Sequence, residues 1–215
     1  MKSSGCGTPR TEQNTVCFTG HRHIDRERIP EIRRRLKAAI SRCYEQGCRW
    51  FICGGALGFD TLAAEETIRF RNNHPDVVLS LAVPCADQAE RWTEADRKSW
   101  LRIVSLADEK TVLSPVYYQG VMLARNRFMA DRSSLCICYL EHWQGGAASA
   151  VRYALTNEDM AIINLALHAD PEKQLLRENQ WNYTYISPSA GRSAVTVRLR
   201  PSRVRKRTSG NMPTS

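Results

Sequence analysis

Short apolar runs alternate along this chain with longer stretches in which apolar residues recur every three or four positions. The apolar runs predict strands, and the periodic stretches predict amphipathic helices. Strands that are apolar throughout and alternate with helices indicate an α/β fold, doubly wound, with a mainly parallel sheet and helices on both faces. The predicted strands are 15–19, 50–53, 77–83, 111–113, 135–140 and 161–167, and the predicted helices are 29–47, 61–71, 89–106, 120–130 and 147–156.

The junction after the second predicted strand carries most of the chemical information. Trp50 to Cys53 stops at Gly54-Gly55-Ala56-Leu57-Gly58, and a helix-forming run starts within a few residues. A backbone without Cβ atoms can approach a ligand closely, and the first turn of a helix suits a phosphate or carboxylate. The alternative is a tight strand-to-helix connection with no ligand. The spacing fits neither a Gly-x-Gly-x-x-Gly nor a Walker loop, so a common NAD or ATPase site is not indicated.

Several other junctions should lie beside this one. In doubly wound folds ligands bind beyond the carboxyl ends of the strands, near the point where the strand order reverses. Four groups of residues follow predicted strands, and we expect all four to line one rim: Thr19-Gly20-His21-Arg22, Gly54 to Gly58, Pro84 to Gln88, and Gly145-Gly146.

Each polar residue near this rim has a ligand-binding and a structural interpretation. Arg22, with His21, could hold an anion on its forked donors, or the two could form an exposed basic loop. Asp60 could receive ribose hydroxyls or cap the following helix. Gln88 follows the third strand, and Trp92 could stack on a base or belong to the core.

The predicted helix 120–130 carries a further polar group. Arg125 and Asn126 lie within it and Asp131 lies near its end. A buried ion pair and a ligand contact are both consistent with this pattern. Glu65 and Glu66 could supply acid–base chemistry, but their spacing does not establish a catalytic pair, so the catalytic residues stay unknown.

Length and charge suggest one domain with extensions. At 215 residues one well-buried domain is expected. No acidic residue follows Glu178, and seven of the net nine positive charges lie beyond it. We therefore predict a flexible N-terminus at 1–13, the α/β domain at 14–170, an extension with possible short strands at 171–200, and a basic disordered tail at 201–215.

The cysteines and the apolar runs bear on the compartment. Four of the eight cysteines lie within apolar, strand-like runs, and the chain has no Cys-x-x-Cys pair. Structural thiols in a reducing cytosol are favoured over a metal site. No run reaches the length of a membrane span, and the first 14 residues lack the apolar core of a signal peptide. We expect a cytoplasmic protein with no membrane partner and no required cofactor.

Taken together, these motifs resemble the YpsA-like family of unknown function. The family belongs to the SLOG superfamily of Rossmann-like proteins, which includes the DNA-processing protein DprA and the LOG cytokinin-activating enzymes. The resemblance covers about Val16 to Leu167 and implies a Rossmann-like domain that binds a nucleotide or a nucleotide-derived ligand. It rests on Thr19 to Arg22, Gly54 to Thr61 with Ala63-Ala64-Glu65, Pro84-Cys85 with Gln88 and Trp92, Asp96, Arg125-Asn126-Arg127 with Met129 and Asp131, and Gly145-Gly146.

The LOG enzymes cleave the base–ribose bond of nucleoside monophosphates with an Arg and a Glu, the Glu lying in a Pro-Gly-Gly-x-Gly-Thr-x-x-Glu motif. In this chain Arg152 stands where that motif places its Glu, and Ser149 stands at the Thr position. A cation there opposes stabilisation of an oxocarbenium-like centre and activation of water. Members of the YpsA-like family commonly have Thr after the glycine pair, where this chain has Ala147, which puts a phosphate contact there in doubt.

Three functions follow as hypotheses. The first is a sensor or regulator that binds a nucleotide-derived small molecule through the glycine loops, Arg22 and Arg125. The second is an N-glycosidic hydrolase of nucleotides. The third is weak nucleic-acid contact through the basic tail, which would be sensitive to salt and independent of sequence. The SLOG resemblance also implies a possible homo-oligomer.

Overall fold

Parallel strands form the centre of the molecule in the computed structural model, which describes residues 9–166 and 184–185. All neighbouring pairs in the sheet are parallel, and the strand order is β4-β3-β2-β1-β5-β6-β7. The doubly wound prediction is confirmed. The strands are β1 Thr15–Gly20, β2 Trp50–Cys53, β3 Val78–Val83, β4 Glu109–Val112, β5 Leu135–Tyr139, β6 Ala161–Asn164 and β7 Thr184–Tyr185.

Within the described residues, five α-helices cover the two faces of the sheet: α1 Ile29–Glu45, α2 Phe59–Arg71, α3 Glu94–Leu106, α4 Val121–Ala130 and α5 Gly145–Ala154. Helices α1, α2 and α3 contribute to one apolar cluster, which includes Phe18, Phe51 and Leu81 from the strands. Helices α4 and α5 contribute to a second cluster with Cys17 and Ile52. Because successive strand residues point to opposite faces, strands buried on both sides need an apolar residue at nearly every position.

The strand order reverses between β1 and β5. The chain adds β2, β3 and β4 on one side of β1 and then crosses back to place β5 on the other side. The register pairs Gly20 with Tyr139, so these two strands end together. The carboxyl ends of β1, β2, β3 and β5 therefore define the rim at which a doubly wound fold binds ligands.

Three predicted helix starts are wrong by two residues or more: α2 begins at Phe59 rather than 61, and the errors at α3 and α5 change the surroundings of the rim. Helix α3 begins at Glu94 rather than 89, because the Thr93 hydroxyl accepts a hydrogen bond from the N–H of Asp96 and caps the helix. Gln88 and Trp92 consequently lie in the turns before α3. Helix α5 begins at Gly145 rather than 147, so the glycine pair forms its first turn.

The last strand lies at the edge of the sheet. Thr184 and Tyr185 pair with Ile163 and Asn164 of β6, and they lie within the extension 171–200 in which short strands are expected. The rest of that extension and the basic tail lie outside the described residues. The boundaries at 13, 170 and 200 remain predictions.

All seven cysteines in the described part of the chain are buried free thiols. Burial raises the pKa of the Cys53 and Cys138 thiols, which keeps them protonated and unreactive. None of the helices described for this chain has the length and apolar character that a bilayer span requires.

Candidate functional site

A buried ion pair between Arg125 and Asp60 packs against the glycine loop after β2. Nη1 of Arg125 donates a hydrogen bond to the Gly54 carbonyl at 2.5 Å and lies 3.7 Å from Oδ2 of Asp60. A Cβ on Gly54 would lie 1.8 Å from the same Nη1. Gly54 is therefore required because the arginine packs directly on the backbone. Arg125 forms its buried ion pair with Asp60 and not with Asp131, the acidic residue near the same helix.

Asp60 fastens the loop to the helix that follows. Its Oδ2 accepts a hydrogen bond from the N–H of Ala56 at 3.3 Å, and the N-cap of α2 is Gly58, so Asp60 does not cap the helix. Burial raises the pKa of Asp60, and the positive charge of Arg125 limits the rise. The Asp60 carboxylate therefore contacts the backbone of the loop and Arg125.

The other end of the loop packs on the backbone after β1. Gly58 has a φ of 77°, and a Cβ there would lie 2.2 Å from the Arg22 carbonyl oxygen. The N–H of Phe59 donates to the His21 carbonyl at 3.1 Å. These contacts bring the first and second predicted groups together and place the carbonyl oxygens of His21 and Arg22 against the start of α2.

The third predicted group joins them through Gly55. Nε2 of Gln88 donates to the Gly55 carbonyl at 2.7 Å, and Gln88 is 9% exposed. A Cβ on Gly55 would lie 3.2 Å from Nε1 of Trp100, which comes from α3. Neither Oε1 of Gln88 nor Nε1 of Trp100 has a hydrogen-bond partner among the described residues, although both atoms are buried.

His21 closes the point where the strand order reverses. The backbone N–H of His21 donates a hydrogen bond to the Tyr139 carbonyl at 3.2 Å, and Nε2 of its ring accepts one from the backbone N–H of Glu141 at 2.9 Å. The ring stacks on His142 with 4.1 Å between centroids. Burial and then the neighbouring His142 lower the pKa of His21, so the neutral ring is favoured. The side chain fastens β1 to β5, while Arg22 beside it is exposed.

The remaining predicted residues fall into three groups. Thr19 and Gly20 end β1 at the rim and Pro84 follows β3, and a Cβ on Gly20 would lie 2.6 Å from the Phe59 side chain. Asn126 accepts a hydrogen bond from Nε of Arg125 at 2.8 Å. Trp92 packs edge-on against Trp100 with 6.2 Å between ring centroids.

Asp131 lies apart from this cluster, and Gly145 and Gly146 border open space. Asp131 follows α4 at the amino ends of the strands, where it accepts a hydrogen bond from the Tyr153 hydroxyl at 2.8 Å. A Cβ on either glycine would meet no atom within 4 Å.

Sequence reasoning gave no site role to Trp100. Its side chain reaches the glycine loop because residues 85–92 fold into turns, so that α3 begins at Glu94, five residues after the predicted start. A tryptophan on a helix carries no signal in the sequence that separates a rim position from a core position.

The carboxylate of the LOG motif has no counterpart at its usual place. Nη2 of Arg152 donates to the Trp143 carbonyl at 2.7 Å, and its guanidinium lies 5.7 Å from the centre of the Trp143 ring. No cluster of three or more His, Cys, Asp or Glu side chains able to hold a metal ion occurs in the described ranges.

Comparisons with known proteins agree with the fold and with the family resemblance. The sequence model of a family described as the YspA SLOG family matches residues 16–167. A UPF0398 protein of Halalkalibacterium halodurans is 30% identical over 142 residues, which are 65% of this chain and 75% of that protein. A UPF0398 protein of Bacillus thuringiensis is 26% identical over 156 residues, covering 70% of this chain and 84% of that protein.

Two solved structures of DNA processing protein A share the fold. The protein from Streptococcus pneumoniae gives a TM-score of 0.56 at 16% identity, covering 81% of this chain but only 58% of that one. The protein from Helicobacter pylori, described for its mode of binding single-stranded DNA, gives 0.53 at 21% identity and covers 80% of this chain and 75% of that one. At these identities the likeness establishes the Rossmann-like architecture alone.

Proposed function

This chain belongs to the YspA SLOG family, and from that premise we propose that it binds a nucleotide or a nucleotide-derived ligand at the rim, as a sensor or regulator. The observation that carries the proposal is the glycine loop itself. Its first glycine is held by Arg125, its last packs on the backbone after β1, and the stretch from Ala56 to Gly58 is half-buried rather than enclosed. A fixed, glycine-rich backbone that leads into a helix suits an anion.

Charge near the loop supports an anionic ligand. Arg125 is 7% exposed, and its Nη2 makes no hydrogen bond within the described residues. Arg22 is exposed on the adjacent loop, and its positive charge, with that of Arg125, limits the rise that burial causes in the pKa of Asp60. Arg22 is therefore the cation that is free to close on a phosphate, while Arg125 holds the loop in shape.

A thermal-shift screen tests the proposal. Nucleotides, NAD, ADP-ribose and nucleotide-sugars are added to the full chain, since a ligand that binds only the folded state raises Tm. We expect a hit whose shift is lost in Arg22→Ala and kept in the matched control Arg26→Ala, another exposed arginine four residues along the same loop. Absence of a shift with every compound would overturn the proposal.

Turnover separates a sensor from a hydrolase. Each hit is incubated with the protein, and free base is measured by chromatography. Because Arg152 stands in place of the carboxylate of the LOG motif, we expect no base release. Release that is lost in Asp60→Asn would instead make the chain an N-glycosidic hydrolase.

Contact with nucleic acid is a second candidate function, favoured by two observations. The Helicobacter pylori protein that shares this fold is described as binding single-stranded DNA, and seven basic residues follow Glu178 without an acidic one. Fluorescence anisotropy with a labelled single-stranded oligonucleotide should show weak, salt-sensitive binding. Removal of 192–215 should abolish it, and binding unchanged by that truncation would refute a role for the tail.

A further inference from the structure

Two buried polar atoms of opposite hydrogen-bonding character lie beside Gly55. The side-chain amide nitrogen of Gln88 donates a hydrogen bond to the Gly55 carbonyl. This bond fixes the orientation of the amide and leaves Oε1 as an acceptor. Nε1 of Trp100 is a donor, and it lies 3.2 Å from the place that a Gly55 side chain would begin to fill. Neither atom has a partner within the described residues.

Unpartnered buried groups of this kind are rare in native proteins and call for an explanation. Leaving a buried donor or acceptor without a partner destabilises the fold, whereas a bound group that pairs with it recovers that loss. The two atoms need an acceptor for the indole N–H and a donor for the amide oxygen. A single hydroxyl group supplies both.

The position of the two atoms relative to the loop selects the source of the hydroxyl. The proposed phosphate position lies where the loop enters α2, and Gly55 stands three residues before Gly58, the N-cap of that helix. The sugar is the part of a nucleotide attached directly to its phosphate. Gly55 has a φ of 63° and no side chain, and a Cβ there would lie 3.2 Å from Nε1 of Trp100 and 3.7 Å from Nε2 of Gln88, so the two side chains meet at this glycine.

We propose that Trp100 Nε1 and Gln88 Oε1 together bind a ribose hydroxyl, so that this protein selects ribonucleotides over their deoxy forms. The inference rests on the proposed function and adds the class of ligand to it. A hydroxyl that is both donor and acceptor is the group by which proteins distinguish ribose from deoxyribose. Binding of single-stranded DNA at the same rim would lack this interaction when the missing group is the 2′-hydroxyl.

Isothermal titration tests the proposal with the four ribonucleoside 5′-monophosphates and their 2′-deoxy and 3′-deoxy forms. For the nucleotide that binds best, we expect one of the two deoxy forms to bind about tenfold more weakly or worse, since it leaves a buried donor and acceptor unpaired. In Trp100→Phe, which keeps an aromatic ring and removes the N–H, the ratio between the two forms should fall toward one.

A matched variant separates the indole N–H from a general loss of packing. Trp50→Phe makes the same change at the amino end of β2, away from the rim, where Trp50 is 6% exposed. It should keep the discrimination even if Tm falls. Gln88→Met removes the acceptor and gives a second route to the same loss if Trp100→Phe folds poorly.

The outcomes distinguish this inference from the proposed function. Equal affinity for ribo and both deoxy forms in the wild-type protein, with binding still lost in Arg22→Ala, would overturn the ribose contact and leave nucleotide binding intact. Discrimination that survives both Trp100→Phe and Gln88→Met would assign the ribose contact elsewhere. Failure of every ribonucleotide to bind would overturn the inference, and the wider thermal-shift panel would then decide the proposed function.

Discussion

Two glycine pairs follow strands in this chain and lead into helices, yet the fold uses them for different reasons. Gly54 and Gly55 are buried, and a Cβ on Gly54 would lie 1.8 Å from Arg125. Gly145 and Gly146 are exposed, and a Cβ on either would meet nothing within 4 Å. The first pair is required by packing against other parts of the protein, whereas the second is free of such contacts. The same sequence signal therefore marks a closed region and an open one.

The largest expected effect comes from removing the arginine that closes the first region. Arg125→Met removes the hydrogen bond to Gly54 and leaves Asp60, 4% exposed, as an unpaired buried carboxylate. Breaking a buried ion pair from one side costs about 3–5 kcal/mol. Urea denaturation at pH 8 should show a loss of this size in the free energy of unfolding.

The pH dependence identifies Asp60 as the cause. Its pKa is raised in the folded protein, and without Arg125 it should rise further. A carboxyl with a raised folded-state pKa favours folding increasingly as pH falls through that pKa, because the folded state then binds the proton more tightly. The deficit of Arg125→Met should therefore shrink from pH 8 to pH 5, and Asp60→Asn in the same chain should recover part of it. A deficit that does not change with pH would exclude this account.

Gly54→Ala tests the same contact from the backbone side. The added methyl group would displace the Arg125 guanidinium from its partners, and we expect a loss of about 2 kcal/mol in the free energy of unfolding. In Arg125→Met the same change should cost less, because the closest clash is absent and only the Asp60 Oδ2, at 2.7 Å from the added Cβ, has still to move. A double-mutant cycle measures this coupling, and additive effects would show that Gly54 is required for another reason.

The two regions meet at His21, where the expected effect is smaller. The pKa of His21 is lowered by burial and by His142, so the unfolded chain takes up a proton at higher pH than the folded protein does. Stability present above about pH 6.5 is then lost as pH falls toward the folded-state pKa of His21.

Nuclear magnetic resonance titration of the His21 ring should give a midpoint below 6.5. His142→Gln removes the second cause of the shift and should move this midpoint upward while leaving the Glu141 N–H on Nε2 of His21. A midpoint unaffected by that substitution would show that burial alone sets the pKa of His21.

Much of this architecture could be predicted because local pattern determines it. Apolar runs gave the six parallel strands of the domain, and the doubly wound rule placed Thr19 to Arg22, Gly54 to Gly58 and Gln88 at one rim. The order of the strands makes these junctions neighbours whatever the side chains do.

The partners of individual side chains could not be predicted in the same way. Asp60 turns back to Ala56 within its own loop, and Trp100 reaches Gly55 from a helix that begins after turns at 85–92, where a helix was predicted. Asp131 was grouped with Arg125 because both lie near one helix, but six residues of helix and cap carry it to the amino ends of the strands. Contacts between distant parts of the chain depend on the residue at which each helix begins and ends, and the spacing of apolar residues does not determine that residue.

The smallest expected effect lies in the open region and has the opposite sign. Gly146 is in the first turn of α5 with open space where a Cβ would be, so Gly146→Ala should fit without a clash. Alanine loses less backbone freedom than glycine on folding into a helix, and we expect a gain of about 0.5–1 kcal/mol in the free energy of unfolding. Urea denaturation beside Gly54→Ala gives the direct comparison. If nucleotide binding weakens in Gly146→Ala while stability rises, the open glycine pair is kept for the ligand; if affinity is unchanged, the ligand is held by the closed region alone.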